Sequence, residues 1–132
     1  MTSHRITVRI YYEDTDFSGN VYHAAYLKFF ERGRTEFLRD LGIHHAELAE
    51  QGIAFAVRSM AIEFIGAARI DDLLTVTTEV TKSSGVRLGL RQTIARGDVV
   101  LTTADVTVVA IKTSGGPARL PADLRARLMP GA

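Results

Sequence analysis

No cysteine occurs among the 132 residues. Disulfides, thiolate nucleophiles and cysteine-based zinc sites are therefore excluded. An excess of charge of one sign is also lacking: 16 Lys and Arg stand against 15 Asp and Glu, a formal net charge of +1. Such a chain has no long-range field to draw it to nucleic acid or to a membrane surface. Long hydrophobic runs are missing as well. Met1 to Tyr12 holds no apolar stretch of signal-peptide length, and nothing approaches the roughly 20 residues of a membrane span. These absences suit a cytoplasmic protein with no integral membrane segment. Three catalytic signatures are missing too: His-Glu-x-x-His, Gly-x-Ser-x-Gly, and a glycine loop ending in Gly-Lys-Ser/Thr. Neither an internal repeat nor a low-complexity segment is present.

What is present is an ordinary globular balance, with 46% hydrophobic and 23% charged residues. It fits one domain over residues 1–132. The chemistry gathers in Asp14-Thr15-Asp16-Phe17-Ser18-Gly19-Asn20-Val21-Tyr22-His23. Before it, Ile6, Val8, Ile10 and Tyr12 alternate with Thr7, Arg9 and Tyr11, which predicts a half-buried strand from Arg5 to Tyr12. After it the period lengthens. Tyr26, Phe29, Phe30, Gly33, Phe37 and Leu41 fall on one helical face, which predicts a helix from Ala24 to Leu41. Gly33 on that apolar face costs about 1 kcal/mol against alanine, a cost explained if the helix approaches a sheet closely there. Gly42 is the expected C-terminal cap.

Beyond the helix, His44 to Gly52 reads as a short helical turn anchored by Leu48. The rest reads as β: Ile53 to Ile65, Leu73 to Thr81, a strand with Val86, Leu88, Leu90 and Gln92 on one face, and Val99 to Ile111. Ser83-Ser84-Gly85 and Arg96-Gly97-Asp98 are turns. Pro121 to Leu128 predicts a short terminal helix. One long helix and five strands make an α+β protein, an antiparallel sheet with the helix against one face. A single helix leaves sheet edges and one face uncovered, so a homo-oligomer is expected.

Each candidate residue has a plain reading beside its functional one. Asp14 and Asp16 are turn or capping residues, or one of them is a base or nucleophile beside the helix N-terminus. Asp14, Asp16, Ser18, Gly19 and Val21 also match part of a calcium loop, but Ala25 stands where the bidentate carboxylate belongs. His23 opens the helix; its side chain reads as solvent-facing, while its backbone N–H points out of the helix end as a donor. Tyr22 and Tyr26 pack, or offer hydroxyls at a pocket mouth. Lys82, Arg87 and Arg91 form a solvated face, or contact the phosphates of a ligand.

The runs Tyr12-Glu13-Asp14-Thr15-Asp16, Gly19, Val21-Tyr22-His23-Ala24-Ala25-Tyr26 and Glu31-Arg32-Gly33-Arg34-Thr35-Glu36 together resemble the hotdog-fold acyl-CoA thioesterases. The likeness is greatest to the branch associated with the Tol-Pal system, related to 4-hydroxybenzoyl-CoA thioesterase. Ala68-Arg69-Ile70-Asp71-Asp72-Leu73 and Arg119-Leu120-Pro121 extend it over nearly the whole chain. The resemblance implies a hotdog fold, a long central helix wrapped by a curved five-stranded sheet, paired into dimers and often into a homotetramer. It implies Asp16 as the catalytic carboxylate and the His23 N–H as the oxyanion donor, at a subunit interface along which coenzyme A runs. Tyr22, Tyr26, Lys82 and Arg87 are the expected substrate contacts. Asn20 stands where relatives often carry an apolar residue. No metal or redox cofactor is implied, coenzyme A entering only as part of the substrate. Two rivals remain open: a hotdog hydratase acting on enoyl or hydroxyacyl thioesters, and a non-catalytic acyl-CoA-binding protein.

Overall fold

The alternation before the motif forms β1 (Ser3–Arg9), shorter at its end than expected. Ile10 leaves the strand to exchange backbone hydrogen bonds with Asp71 and Asp72, and Tyr12–Asp14 close a 3-10 turn. Tyr12, predicted in the strand, is thereby turned outward. The long helix α1 runs His23–Asp40. A second helix, α2 (His45–Glu50), precedes β2 (Ile53–Phe64), β3 (Leu73–Ser83), β4 (Arg87–Arg96), β5 (Val99–Lys112) and α3 (Ala122–Arg127). This is a computed structural model, and it describes residues 3–130. The terminal residues of the predicted 1–132 domain lie outside them.

The five strands form one antiparallel sheet in the order β1-β3-β4-β5-β2. Register shifts at Val57/Ser59, Val80/Lys82 and Ile94/Ala95 mark bulges, which bend strands and strengthen their twist. The sheet therefore curves round α1, whose face of Ala25, Tyr26, Phe29, Phe30, Gly33, Phe37 and Leu38 is buried. On the sheet side Leu74, Val76, Leu88, Leu90, Ile94 and Val106 are buried among others, every second residue of their strands.

Gly33 is where helix and sheet come closest. A Cβ there would lie 2.9 Å from Val76 Cγ1 and 3.1 Å from both Gln92 Nε2 and Thr78 Oγ1. Gly42, with φ of 77°, ends α1. Its N–H donates to Arg39 O and the Ile43 N–H to Leu38 O, at 2.9 and 2.8 Å. That is a Schellman motif, with Ile43 buried as its hydrophobic partner.

Candidate active site

The segment between β1 and α1 is a small hairpin. Thr15 pairs with Val21, the Asp16 N–H donates to Asn20 O at 2.9 Å, and the Tyr22 N–H donates to Asp14 O at 2.9 Å. The turn closes when the Gly19 N–H donates to Asp16 O at 3.1 Å, with Gly19 at φ 85°. Two further bonds, Val21 N–H to Ala68 O at 2.9 Å and Ile70 N–H to Gly19 O at 3.0 Å, tie the hairpin to the segment entering β3. Asp16 and the start of α1 are thus two parts of one hydrogen-bonded unit.

The two aspartates take different roles. One oxygen of Asp14, Oδ2, accepts the Tyr11 N–H at 2.9 Å, inside the 3-10 turn. Asp14 is a turn residue. Neither aspartate caps α1, whose N-cap is Tyr22 with no side-chain bond. Asp16 is exposed, and its Oδ1 accepts both the Ser18 N–H, at 2.8 Å, and the Ser18 hydroxyl. Among the described residues nothing donates to Oδ2. The Ser18 hydroxyl and then the Ser18 N–H hold the Asp16 pKa below its ordinary value. Asp16 is therefore an oriented, ionised carboxylate at neutral pH. The missed residue is Ser18. Its signal was the Asp-x-Ser spacing of an Asx turn.

His23 is the first residue of α1. Among the described residues, no acceptor takes the N–H of His23 or Ala24. They are the open donors of a helix N-terminus, which carries partial positive charge. The His23 ring lies tilted against Tyr22 with centroids 4.6 Å apart and meets Phe64 edge-on at 6.3 Å. Phe64, at the end of β2, gave no sequence signal because it is far from the motif in the chain. Tyr22 is 53% exposed, a position open to a ligand.

Tyr26 is a correction. It is 3% exposed, and its hydroxyl accepts the Ala68 N–H at 3.0 Å. It pins the core to the segment behind the hairpin and offers no hydroxyl to a pocket mouth. Lys82 and Arg87 are not brought to Asp16 within one chain. They flank the β3–β4 turn, whereas the hairpin packs at the Leu73 end of β3. Nine residues of strand, about 30 Å, separate those ends. Arg91 is paired with Asp105 at 2.8 Å. Asn20 joins the hairpin through its backbone, and its Oδ1 is buried without a donor among the described residues. Among the described residues no three His, Cys, Asp or Glu side chains could together hold a metal ion.

An oriented carboxylate beside unpaired helix N–H groups can attack a carbonyl, or activate water against one, while the N–H groups stabilise the oxyanion. Comparison with known proteins agrees with that chemistry. The thioesterase-like superfamily matches residues 10–128. The acyl-CoA thioesterase YbgC of Haemophilus influenzae is 48% identical over 105 residues, covering 79% of this chain and 77% of that protein. The acyl-CoA thioester hydrolase YbgC of Escherichia coli is 43% identical over 111 residues, 83% of each. A probable thioesterase from Bartonella henselae superposes with a TM-score of 0.86 at 47% identity, covering 90% of this chain and 99% of that one. The chain belongs to the thioesterase-like superfamily, and its long helix wrapped by a five-stranded antiparallel sheet is a hotdog fold.

Proposed function

We propose that this protein hydrolyses acyl-CoA thioesters to a carboxylic acid and free coenzyme A, with Asp16 and the His23 N–H as its catalytic groups. The observation that carries the reading is the hairpin, which holds an ionised carboxylate and an open helix N-terminus in one unit. The thioester oxygen accepts the His23 N–H, with the Ala24 N–H beside it. Oxyanion donors of this kind are worth roughly 2.7–4 kcal/mol each in the transition state. Asp16 Oδ2 then adds to the carbonyl carbon. The tetrahedral intermediate collapses by expelling the coenzyme A thiolate, which leaves a mixed anhydride for water to cleave. In the alternative order Asp16 takes a proton from water, which adds instead. Both orders consume only water, so the reaction itself calls for no metal or redox cofactor. The reading places the enzyme in the cytoplasm, where acyl-CoA is made and used.

The reading also calls for a second copy. β2 is an edge strand whose outer side is unpaired in one chain, and Val57, Phe64 and Ile65 are exposed on or beside it. Such an edge calls for a partner. Antiparallel pairing of β2 with itself about a two-fold axis sets the Ile53 end of one strand against the Phe64 end of the other. Arg87 pairs with Val109, close to the Ile53 end of the sheet. The Lys82 and Arg87 of one copy then lie toward the Asp16 end of the other, where they can meet coenzyme A phosphates. Dimer or tetramer, the site is completed across the interface.

Thiol release from short, long and aromatic acyl-CoAs, with purified protein, tests the activity. Turnover well above background is expected on at least one class. Absence of thiol release from all three would sink the proposal.

A further inference from the structure

The hairpin that carries Asp16 rests on the turn at residues 67–72. Gly19 O accepts the Ile70 N–H at 3.0 Å, and the Val21 N–H donates to Ala68 O at 2.9 Å. Asn20, between them, forms a bridge with Arg69. These contacts fall at residues 19–21, after the Asp16 carboxylate and before the open N–H of His23. Whatever holds the turn therefore acts on the stretch of chain that joins the two proposed catalytic groups.

An ion pair holds that turn. The Asp72 N–H donates to Arg69 O at 3.1 Å, and the Arg69 N–H donates back to Asp72 Oδ2 at 2.9 Å. The same Oδ2 accepts Arg96 Nη1 at 2.8 Å, and that nitrogen also donates to Ala67 O at 3.2 Å. Arg96 is the last residue of β4, and Asp72 directly precedes β3, its neighbour in the sheet. One guanidinium nitrogen thus fastens both ends of the turn to the sheet. The Arg96 and Asp72 side chains are 42% and 22% exposed, so their attraction is less screened than that of a fully exposed pair. Inside the turn Asp71 has φ of 72°. A non-glycine residue persists in the left-handed region where its surroundings hold it. Here its N–H donates to Ile10 O at 3.0 Å, and its carbonyl accepts Arg9 Nη1 at 2.8 Å.

We propose that Arg96 and Asp72 are positioning residues: their ion pair locks the 67–72 turn, and the turn keeps Asp16 and the His23 N–H in place for the reaction. The inference rests on the thioesterase reading for the chemistry it serves, while the lock itself has a readout independent of activity. The route runs from Arg96 to the turn, and from the turn through backbone hydrogen bonds to Gly19 and Val21. A displacement of about 1 Å between reacting groups can cost about a hundredfold in rate. A loosened turn therefore lowers kcat more than it raises KM.

The test compares wild type with Arg96→Met, Asp72→Asn and the double variant by two readouts. One is kcat and KM on the best acyl-CoA. The other is amide hydrogen exchange at Val21 and Ile70, set against Leu90 inside β4. Arg96→Met is expected to lower kcat by about tenfold or more, with KM changed by less than about threefold. Exchange at Val21 and Ile70 is expected to quicken while Leu90 keeps its protection. The double variant is expected to be no slower than the slower single one, because the two residues act as a unit. Arg96→Lys, whose one nitrogen can meet both acceptors, restores most of kcat. A purely structural pair would instead lower protection throughout β3 and β4 and spare kcat well below Tm. A folded Arg96→Met protein with unchanged kcat overturns the proposal, and so does a fall in kcat with unchanged exchange at Val21 and Ile70. Losses that multiply in the double variant also overturn it. If Arg96→Met does not fold, Asp72→Asn, which keeps an acceptor for the Arg69 N–H, decides by the same two readouts. A wild type that releases no thiol refutes the thioesterase reading instead. The exchange comparison then still decides the lock, and unchanged protection overturns it.

Discussion

Asp16 and Asp14 are two residues apart in one loop, yet their surroundings separate them completely. The Tyr11 N–H ties Asp14 into a turn, while the two bonds from Ser18 leave Asp16 ionised, oriented and open on one oxygen. The pH dependence follows from that. Under the proposed function catalysis requires the carboxylate, so the acid limb of kcat/KM is expected below the ordinary Asp value of about 3.9. Ser18→Ala removes the hydroxyl bond, raises the Asp16 pKa and moves that limb to higher pH. A pH–rate profile of the two proteins checks this, and superimposable acid limbs would contradict it. The same depressed pKa contributes stability above the unfolded-state pKa and loses it as pH falls through the folded one. Asp16 was legible in the sequence through its motif. The burial of Tyr26 was not, because its partner, Ala68, comes from a distant segment. Tyr26→Phe leaves the Ala68 N–H unsatisfied and is expected to cost about 1–3 kcal/mol in a denaturant titration, with modest loss of activity.

At the scale of elements, the change of period from two to 3.6 across the hairpin told strand from helix. The strand and helix cores lie where that reading put them. The glycine at position 33 was legible for a physical reason: a helix pressed on a sheet has no room for a Cβ. Gly33→Ala meets Val76, Thr78 and Gln92 at about 3 Å. A gain of about 1 kcal/mol in helix propensity is set against an overpacking cost of about 1–3 kcal/mol. Val76 and Gln92 are buried and cannot retreat, so the net effect is destabilising, seen as a lower Tm. An unchanged Tm would mean that α1 is not held as closely as the geometry says. The end of β1 was less legible. Tyr12 continues the alternation, but tertiary bonds from Asp71 and Asp72 to Ile10 stop the strand first. The bulges in β2, β3 and β5 carry no local signature either.

The whole molecule is organised around an end-to-end asymmetry. The hairpin and the helix N-terminus lie at one end of the sheet, and Lys82 and Arg87 lie at the other. Side-chain chemistry could be read from the sequence, but that separation could not, because it depends on strand order. It makes the second copy part of the site under the proposed function. Val57→Lys places a charge on the exposed β2 edge. It is expected to shift the protein toward monomer in light scattering and to lower kcat/KM with it. A variant that is monomeric and fully active would contradict the shared site.

The most direct test of the central claim is single-turnover and steady-state thiol release by wild type beside Asp16→Asn, on the best acyl-CoA found. The substitution keeps the shape of the side chain and removes its charge. The account predicts a loss of at least about a hundredfold in kcat, roughly 2.7 kcal/mol of barrier, in a protein that melts like wild type. Equal rates in the two proteins would show that Asp16 is not the catalytic carboxylate.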